Sequence, residues 1–262
     1  MSAIILDGEI VHYEVLGRGR PVIFLHGWVG SWRYWIPAMQ SASTTHRAYA
    51  LDLWGFGDTA KSANNYLIEK QSELLDQFLK EMGIGKVALV GHGLGALVAL
   101  DFTSKRSFSV DRVMMIGFPV NENDFDERLA NTPPSELADW LLGQSTDNEA
   151  ARAEAPKADK QAIQASLEDL KSIETLEYFK QLKTAFLLVH GQNDPAIRTP
   201  NLESNGQLTG QAHHIVFEES GHFPMLDQSN KFNRLLADFM ALDSGESPRH
   251  LQLKEEWKRR VR

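Results

Sequence analysis

The stretch Leu89–Leu97, LVGHGLGAL, turns a strand-like run into a helix-like run across Gly91-His92-Gly93-Leu94-Gly95. A chain organised around such a unit must pack helices against a sheet, and the remainder repeats the alternation. Val22–Leu25 is a continuous apolar run of the kind buried on both faces of a parallel sheet. Strand patterns recur at Arg47–Leu51, Lys86–Val90, Val113–Ile116, Ala185–Val189 and His214–Phe217. Between them, Trp32–Gln40, Tyr66–Met82, Leu94–Lys105 and Asn230–Leu242 read as helices. In Tyr66–Met82, Leu67, Leu74, Leu75, Phe78, Leu79 and Met82 share one face, and Gly83 stands where a helix-ending glycine belongs. Ahead of these, Ala3–Leu6 and Glu9–Leu16 flank Asp7-Gly8 as a hairpin. The pattern predicts an α/β fold with a mostly parallel sheet.

One region breaks the rhythm. Between Phe118 and Lys183 the sequence carries helical patterns, notably Glu136–Leu142 and Lys160–Gln181, and no strand signal. A helical insertion over 119–182, forming a lid over the carboxyl ends of the strands, is the expectation; ordinary crossover helices are the alternative. The core is then 1–118 with 183–243. Residues 244–262 open with a breaker-rich linker and end in a basic stretch with Leu253, Trp257 and Val261 at helical spacing. That tail is read as solvated, or docked through its stripe.

Composition narrows the function. The chain has 262 residues, a formal net charge of -8 and no cysteine. The acidic balance argues against nucleic acid as a partner, and thiolate chemistry and disulfides are excluded. The N-terminus lacks a basic region and an adequate apolar run, and no segment approaches the ~20 apolar residues of a membrane span. Cytoplasmic residence without a membrane partner is the expectation. There is no phosphate loop, dinucleotide fingerprint or metal-ligand spacing, so no cofactor and no metal are expected.

Four segments each follow a strand: His26-Gly27-Trp28, Gly91-His92-Gly93-Leu94-Gly95, His190-Gly191-Gln192-Asn193-Asp194 and Ser220-Gly221-His222-Phe223-Pro224. In their order the chain resembles the α/β-hydrolase family, from Leu6 to about Leu242, and Asp52-Leu53-Trp54-Gly55-Phe56-Gly57 is similar to that family's D-x-x-G-x-G loop. The closest look is to lidded small-molecule hydrolases. The resemblance implies a catalytic pair, Asp194 orienting His222 as general base. It also implies an oxyanion hole from the backbone N–H groups of Trp28 and Leu94, with Gly91 and Gly95 permitting the tight turn. His26 and Gly27 are ligand-binding candidates, with a structural role the alternative for His26. His92 is expected to pack or hydrogen-bond away from the pocket. Asp194 could instead simply stabilise its turn.

The departure is at residue 93, where the G-x-S-x-G signature has serine and this chain has glycine. Glycine supplies no attacking atom, so a covalent route through this position is closed. Ser31 and Ser220 are the other nearby hydroxyls, neither on the turn. A water in the space left at Gly93, activated by His222, is one expectation. Three functions stay open: a His222–Asp194 enzyme acting on a small acyl or carbonyl compound without a covalent intermediate, a non-catalytic small-ligand binder or sensor, and a natural serine replaced to trap substrate. Oligomeric state is left open.

Overall fold

The computed structural model describes residues 2–121, 123–143, 148–173, 175–181, 183–202, 208 and 210–253. Eight strands form one sheet in the order β1-β2-β4-β3-β5-β6-β7-β8. These are β1 Ser2–Leu6, β2 Glu9–Gly17, β3 Arg20–Leu25, β4 His46–Leu51, β5 Val87–His92, β6 Val110–Ile116, β7 Ala185–Gly191 and β8 Ala212–Phe217. β1 pairs antiparallel with β2, and β2 with β4; every other neighbour is parallel. The hairpin turns through Asp7 at φ 50 and Gly8 at φ 82, two left-handed residues in succession, as the Asp-Gly pair predicts.

The apolar runs became central strands for the expected reason. Every residue of β5 and β7 is buried, as are the last four of β3. Helices α1 Ile36–Ala42, α2 Ile68–Glu81 and α3 Leu94–Lys105 follow β3, β4 and β5 in turn. α2 buries Leu74, Leu75, Phe78 and Leu79 and ends before Gly83 at φ 65. Leu67, counted on that face from the sequence, is instead the residue that precedes the helix, and it is exposed. Trp32–Gln40 divides in two, a 3-10 turn over Trp32–Trp35 and then α1, whose second residue is Pro37.

Between β6 and β7 the described residues form α4 Arg128–Asn131, α5 Pro134–Leu142, α6 Glu149–Glu154, α7 Lys160–Leu170 and α8 Thr175–Gln181. A single bridge, Phe125 to Ile197, is their only strand-like contact among the described residues. The single helix expected over Lys160–Gln181 is broken after Leu170. Ser172 turns both its amide and its hydroxyl onto the Asp169 carbonyl, closing a turn that competes with the helix.

This helical segment is tied to the loops that leave β3 and β4. Asp159 donates its N–H to the Gly55 carbonyl at 2.7 Å and accepts from Tyr66 Oη at 2.7 Å. Ile68 N–H donates to Asp169 at 2.8 Å, and Lys157 pairs with Asp58 at 2.9 Å. Glu154, itself buried, accepts from Ser31 Oγ and pairs with Arg33.

The chain closes with α9 Pro224–Asp227 and α10 Ser229–Ala241. From Ser244 to Leu253 the tail lies on the body: His213 Nε2 meets the Leu251 carbonyl at 2.9 Å, and Leu251 and Leu253 pack against the core. Trp257 and Val261 lie outside the described residues. Among the described residues, no helix is long and apolar enough to cross a membrane.

Candidate active site

The chemistry-bearing segments meet at the carboxyl ends of β3, β5 and β7 and just past β8. Gly93 joins β5 to α3 at φ 51, ψ -113, outside the regions that side chains other than glycine normally occupy. Its neighbours need to be small for a different reason. A Cβ on Gly91 would lie 2.3 Å from the Gly95 carbonyl oxygen, and one on Gly95 would lie 2.3 Å from that of Leu25. β5, α3 and β3 therefore approach in backbone contact, fixed by Gly95 N–H donating to the His26 carbonyl at 3.0 Å.

His222 follows β8 and is 1% exposed. Its Nδ1 lies 2.8 Å from Asp194 Oδ2. The other carboxylate oxygen, Oδ1, accepts the backbone N–H of Ala196 at 2.8 Å and of Ile197 at 3.0 Å. The carboxylate is thus held on one edge by the backbone and turned to the imidazole on the other. His222 donates from Nδ1, and Nε2, the nitrogen with a lone pair, has no hydrogen-bond partner among the described residues. Such an imidazole can take a proton while the buried carboxylate stabilises the cation that results.

The Trp28 and Leu94 N–H groups are buried and meet no acceptor among the described residues. Buried unpaired N–H groups are uncommon in folded chains. The loop that carries Trp28 touches the turn directly: a Cβ on Gly93 would stand 3.4 Å from Gly27 Cα. One unpaired donor thus belongs to the residue after Gly93, and the other to the loop that lies against it.

The indole of Trp28 occupies the place a side chain at residue 93 would enter. A Cβ there would lie 3.0 Å from Cε3 and 3.1 Å from Cζ3 of the ring. The ring is anchored from α7, where Ser166 Oγ accepts its Nε1–H at 3.0 Å. Ser166 in turn donates back to the Ala162 or Ile163 carbonyl. The indole edge narrows the space beside Gly93 and would have to give by a few tenths of an ångström to admit a Cβ.

His92 does pack beside the turn, and more. Gly27 N–H donates to Tyr34 Oη at 2.6 Å, and Tyr34 Oη lies 3.0 Å from His92 Nδ1. His92 Nε2 lies 2.9 Å from the His222 carbonyl oxygen. One assignment satisfies all three: Tyr34 donates to Nδ1, and Nε2–H donates to the carbonyl. Burial and the neighbouring His222 imidazole push His92 well below the usual histidine range, so it is neutral. Burial likewise carries the Tyr34 phenol well above its usual value, keeping its proton. This chain links the Trp28 loop to the backbone of His222. Tyr34 was legible only as one of an aromatic cluster, since nothing in its spacing says where the hydroxyl points.

His26 points elsewhere. Its Nδ1 meets the Gly27 carbonyl at 2.8 Å and its Nε2 accepts Leu53 N–H at 3.0 Å, so neither nitrogen is left for a ligand. Ser31 is spent on Glu154 and Arg33 N–H. Ser220 Oγ is buried without a partner among the described residues, and makes no hydrogen bond to His222. One cluster was not expected: His12, Asp52 and Asp58 bring three possible ligand atoms within 4.8 Å of one another. Asp52 is already committed to Trp32 N–H, Asp58 N–H and His12, and Asp58 to Lys157. Burial alone would lower His12, but the hydrogen bond and charge of Asp52 carry it above its usual value. The group holds the loop after β4 in shape.

Comparison with known proteins matches residues 22–235 to the family described as "Alpha/beta hydrolase family". A curated relative, 2-hydroxy-6-oxo-6-(2'-aminophenyl)hexa-2,4-dienoic acid hydrolase of Metapseudomonas resinovorans, is 23% identical over 89% of this chain and 88% of its own. The enol-lactonase from Burkholderia xenovorans LB400 superposes with a TM-score of 0.80 at 17% identity, over 92% of this chain and 100% of that one. A serine-to-glycine mutant of the N-acyl homoserine lactonase AidH, complexed with N-hexanoyl homoserine lactone, gives a TM-score of 0.80 at 17% identity, over 91% and 96%. These likenesses extend across the sheet and the helical segment alike.

Proposed function

The chain belongs to the alpha/beta hydrolase family, and on that footing we propose that it acts on a small acyl or carbonyl compound through the His222–Asp194 pair, without a covalent intermediate. His222 Nε2 removes a proton, either from a water that attacks the carbonyl or from an acidic C–H of the substrate. Asp194 holds the imidazole and stabilises the cation formed. The N–H groups of Trp28 and Leu94 receive the developing oxyanion, which is where preorganised donors act most strongly. The helical segment over the loops after β3 and β4 serves as the lid. The names of the relatives, a dienoic acid hydrolase and two lactonases, support the substrate class.

The observation that carries this reading is the completeness of the machinery around a residue that supplies no attacking atom. The pair is assembled at 2.8 Å and the base nitrogen is unspent, while two donors stay unpaired beside a residue with no side chain. A pH–rate profile on a panel of short esters, lactones and enolisable ketones tests it. The rate should follow one ionisation and be abolished in His222→Ala; an unchanged rate in that variant refutes it. In Gly93→Ser, ester cleavage should rise by orders of magnitude if the ring of Trp28 yields, since losing an attacking serine can cost ~10⁶ in kcat.

A second reading has its own observation. The Trp28 indole packs against Gly93 and is held from α7, which suits a closed binding pocket. Saturable binding without turnover, little changed by His222→Ala, would favour that reading.

A further inference from the structure

The opposite end of the strands holds a cavity unconnected with His222. It has a volume of about 160 Å³ and lies at the amino ends of β3, β4, β5 and β6. Its wall is apolar where Pro21, Val87, Ala88 and Met240 meet. Three permanent cations line it, Arg20, Lys86 and Arg112, against one carboxylate, Asp111. That local excess of positive charge sits in a chain of net charge -8.

The sheet is irregular at this point. The pairing of β5 with β6 steps from Val87–Val110 to Ala88–Arg112, leaving Asp111 as the extra residue of a bulge. Bulges re-aim side chains and gather near sites. Here the bulge directs Asp111 to Lys86 at 3.1 Å and to Arg112 at 2.8 Å, so these two cations share its charge. Arg112 also donates to the Phe239 and Leu242 carbonyls and is buried. Arg20 is exposed and meets no carboxylate among the described residues.

His46 adds a donor. It is 6% exposed, and its Nδ1 is paired with Thr45 Oγ1 at 2.8 Å. Nε2 has no partner among the described residues. Burial, Arg20 and Arg112 hold His46 below its usual range. With Thr45 donating to Nδ1, the neutral ring presents an Nε2–H.

We propose that this cavity binds a small aromatic or branched monocarboxylate, its apolar body against Val87, Ala88 and Met240 and its carboxylate between Arg20 and His46. The size fits, because an apolar cavity of about 150 Å³ holds a benzene ring. The single charge fits, because one cation is unspent. The site does not depend on the His222–Asp194 reading.

Benzoate is the probe, titrated by calorimetry and followed by the methyl resonances of Met240 and Ala88. Saturable binding with shifts at those methyls is expected, weakening with added salt. Benzyl alcohol, of the same shape without the charge, should bind about tenfold more weakly, as should benzoate to Arg20→Gln, given the strength of hydrogen bonds to charged groups. Arg20 is exposed, so that variant folds as the parent does. Equal binding of benzyl alcohol and benzoate overturns the proposal, as does undiminished benzoate binding to Arg20→Gln. So do shifts confined to Trp28 and His222, or the absence of binding at tens of millimolar benzoate.

Discussion

Replacing Gly93 with alanine adds one methyl group where both the backbone and the Trp28 ring resist it. At φ 51 and ψ -113 a residue with a Cβ is strained, and such conformations cost ~1–3 kcal/mol. The added Cβ would also lie 3.0 and 3.1 Å from two ring carbons of an indole held by Ser166. Overpacking of that kind costs ~1–3 kcal/mol, and the lower end applies if the ring tilts. Against these stands the reduced freedom of the unfolded chain, which favours alanine by ~0.4–1 kcal/mol. With the ring tilting, the sum is a loss of about 1–4 kcal/mol. For a chain of this size that lowers Tm by roughly 2–14 °C. Urea unfolding followed by far-UV circular dichroism measures it directly. A Trp28→Leu background separates the two parts: with the ring gone, the cost of Gly93→Ala should fall by ~1 kcal/mol, the coupling expected of side chains in contact. If Gly93→Ala is as stable as the parent, neither the strained turn nor the ring contact is as described.

Three further outcomes follow from the geometry. Tyr34→Phe removes the hydroxyl between Gly27 N–H and His92 Nδ1; leaving two buried groups unpaired should cost ~2–4 kcal/mol, and a stability equal to the parent's in urea would exclude the shared hydroxyl. Ser166→Ala strands the Trp28 indole N–H and should cost ~1–3 kcal/mol, with a changed Trp28 side-chain N–H resonance as the readout; an unmoved resonance would refute the anchor. Burial holds His26, His92 and His190 below the usual histidine range and carries His214 down to about 3. An unfolded histidine binds its proton near 6.5, so below that pH the unfolded state takes up more protons. Stability therefore falls as pH drops from 7 towards 5, and His214→Gln should flatten the slope; a parent whose stability is constant over that range would contradict it.

Much of this molecule is readable from pattern alone, for identifiable reasons. Strands buried on both faces announce themselves as unbroken apolar runs, which is why β3, β5 and β7 could be placed. α3 runs Leu94–Lys105 as expected because glycines fix its start. The order of the four loop segments brought Asp194 and His222 together before any distance was known. What pattern could not carry was side-chain direction. Trp28 was a candidate for its backbone N–H alone, yet its ring decides what fits at Gly93. His26 and His92 both sit beside glycines, and only contacts distinguish a clamp on the Leu53 loop from a link to His222. The break after Leu170 was equally hidden, because Ile173 continues the helical spacing while Ser172 ends the helix.

The way Asp194 divides its two oxygens bears on which exchanges the site can tolerate. Oδ1 faces two amide hydrogens and Oδ2 faces a third hydrogen, on the imidazole. An asparagine is nearly the same shape, but one of its two ends is an NH₂ group. With the oxygen on the loop, the NH₂ faces Nδ1, and the ring can accept it only by moving its own proton to Nε2, the atom that has to act as the base. An isosteric swap at position 194 therefore keeps the contact and costs the base its lone pair, so sameness of outline is no guide to it.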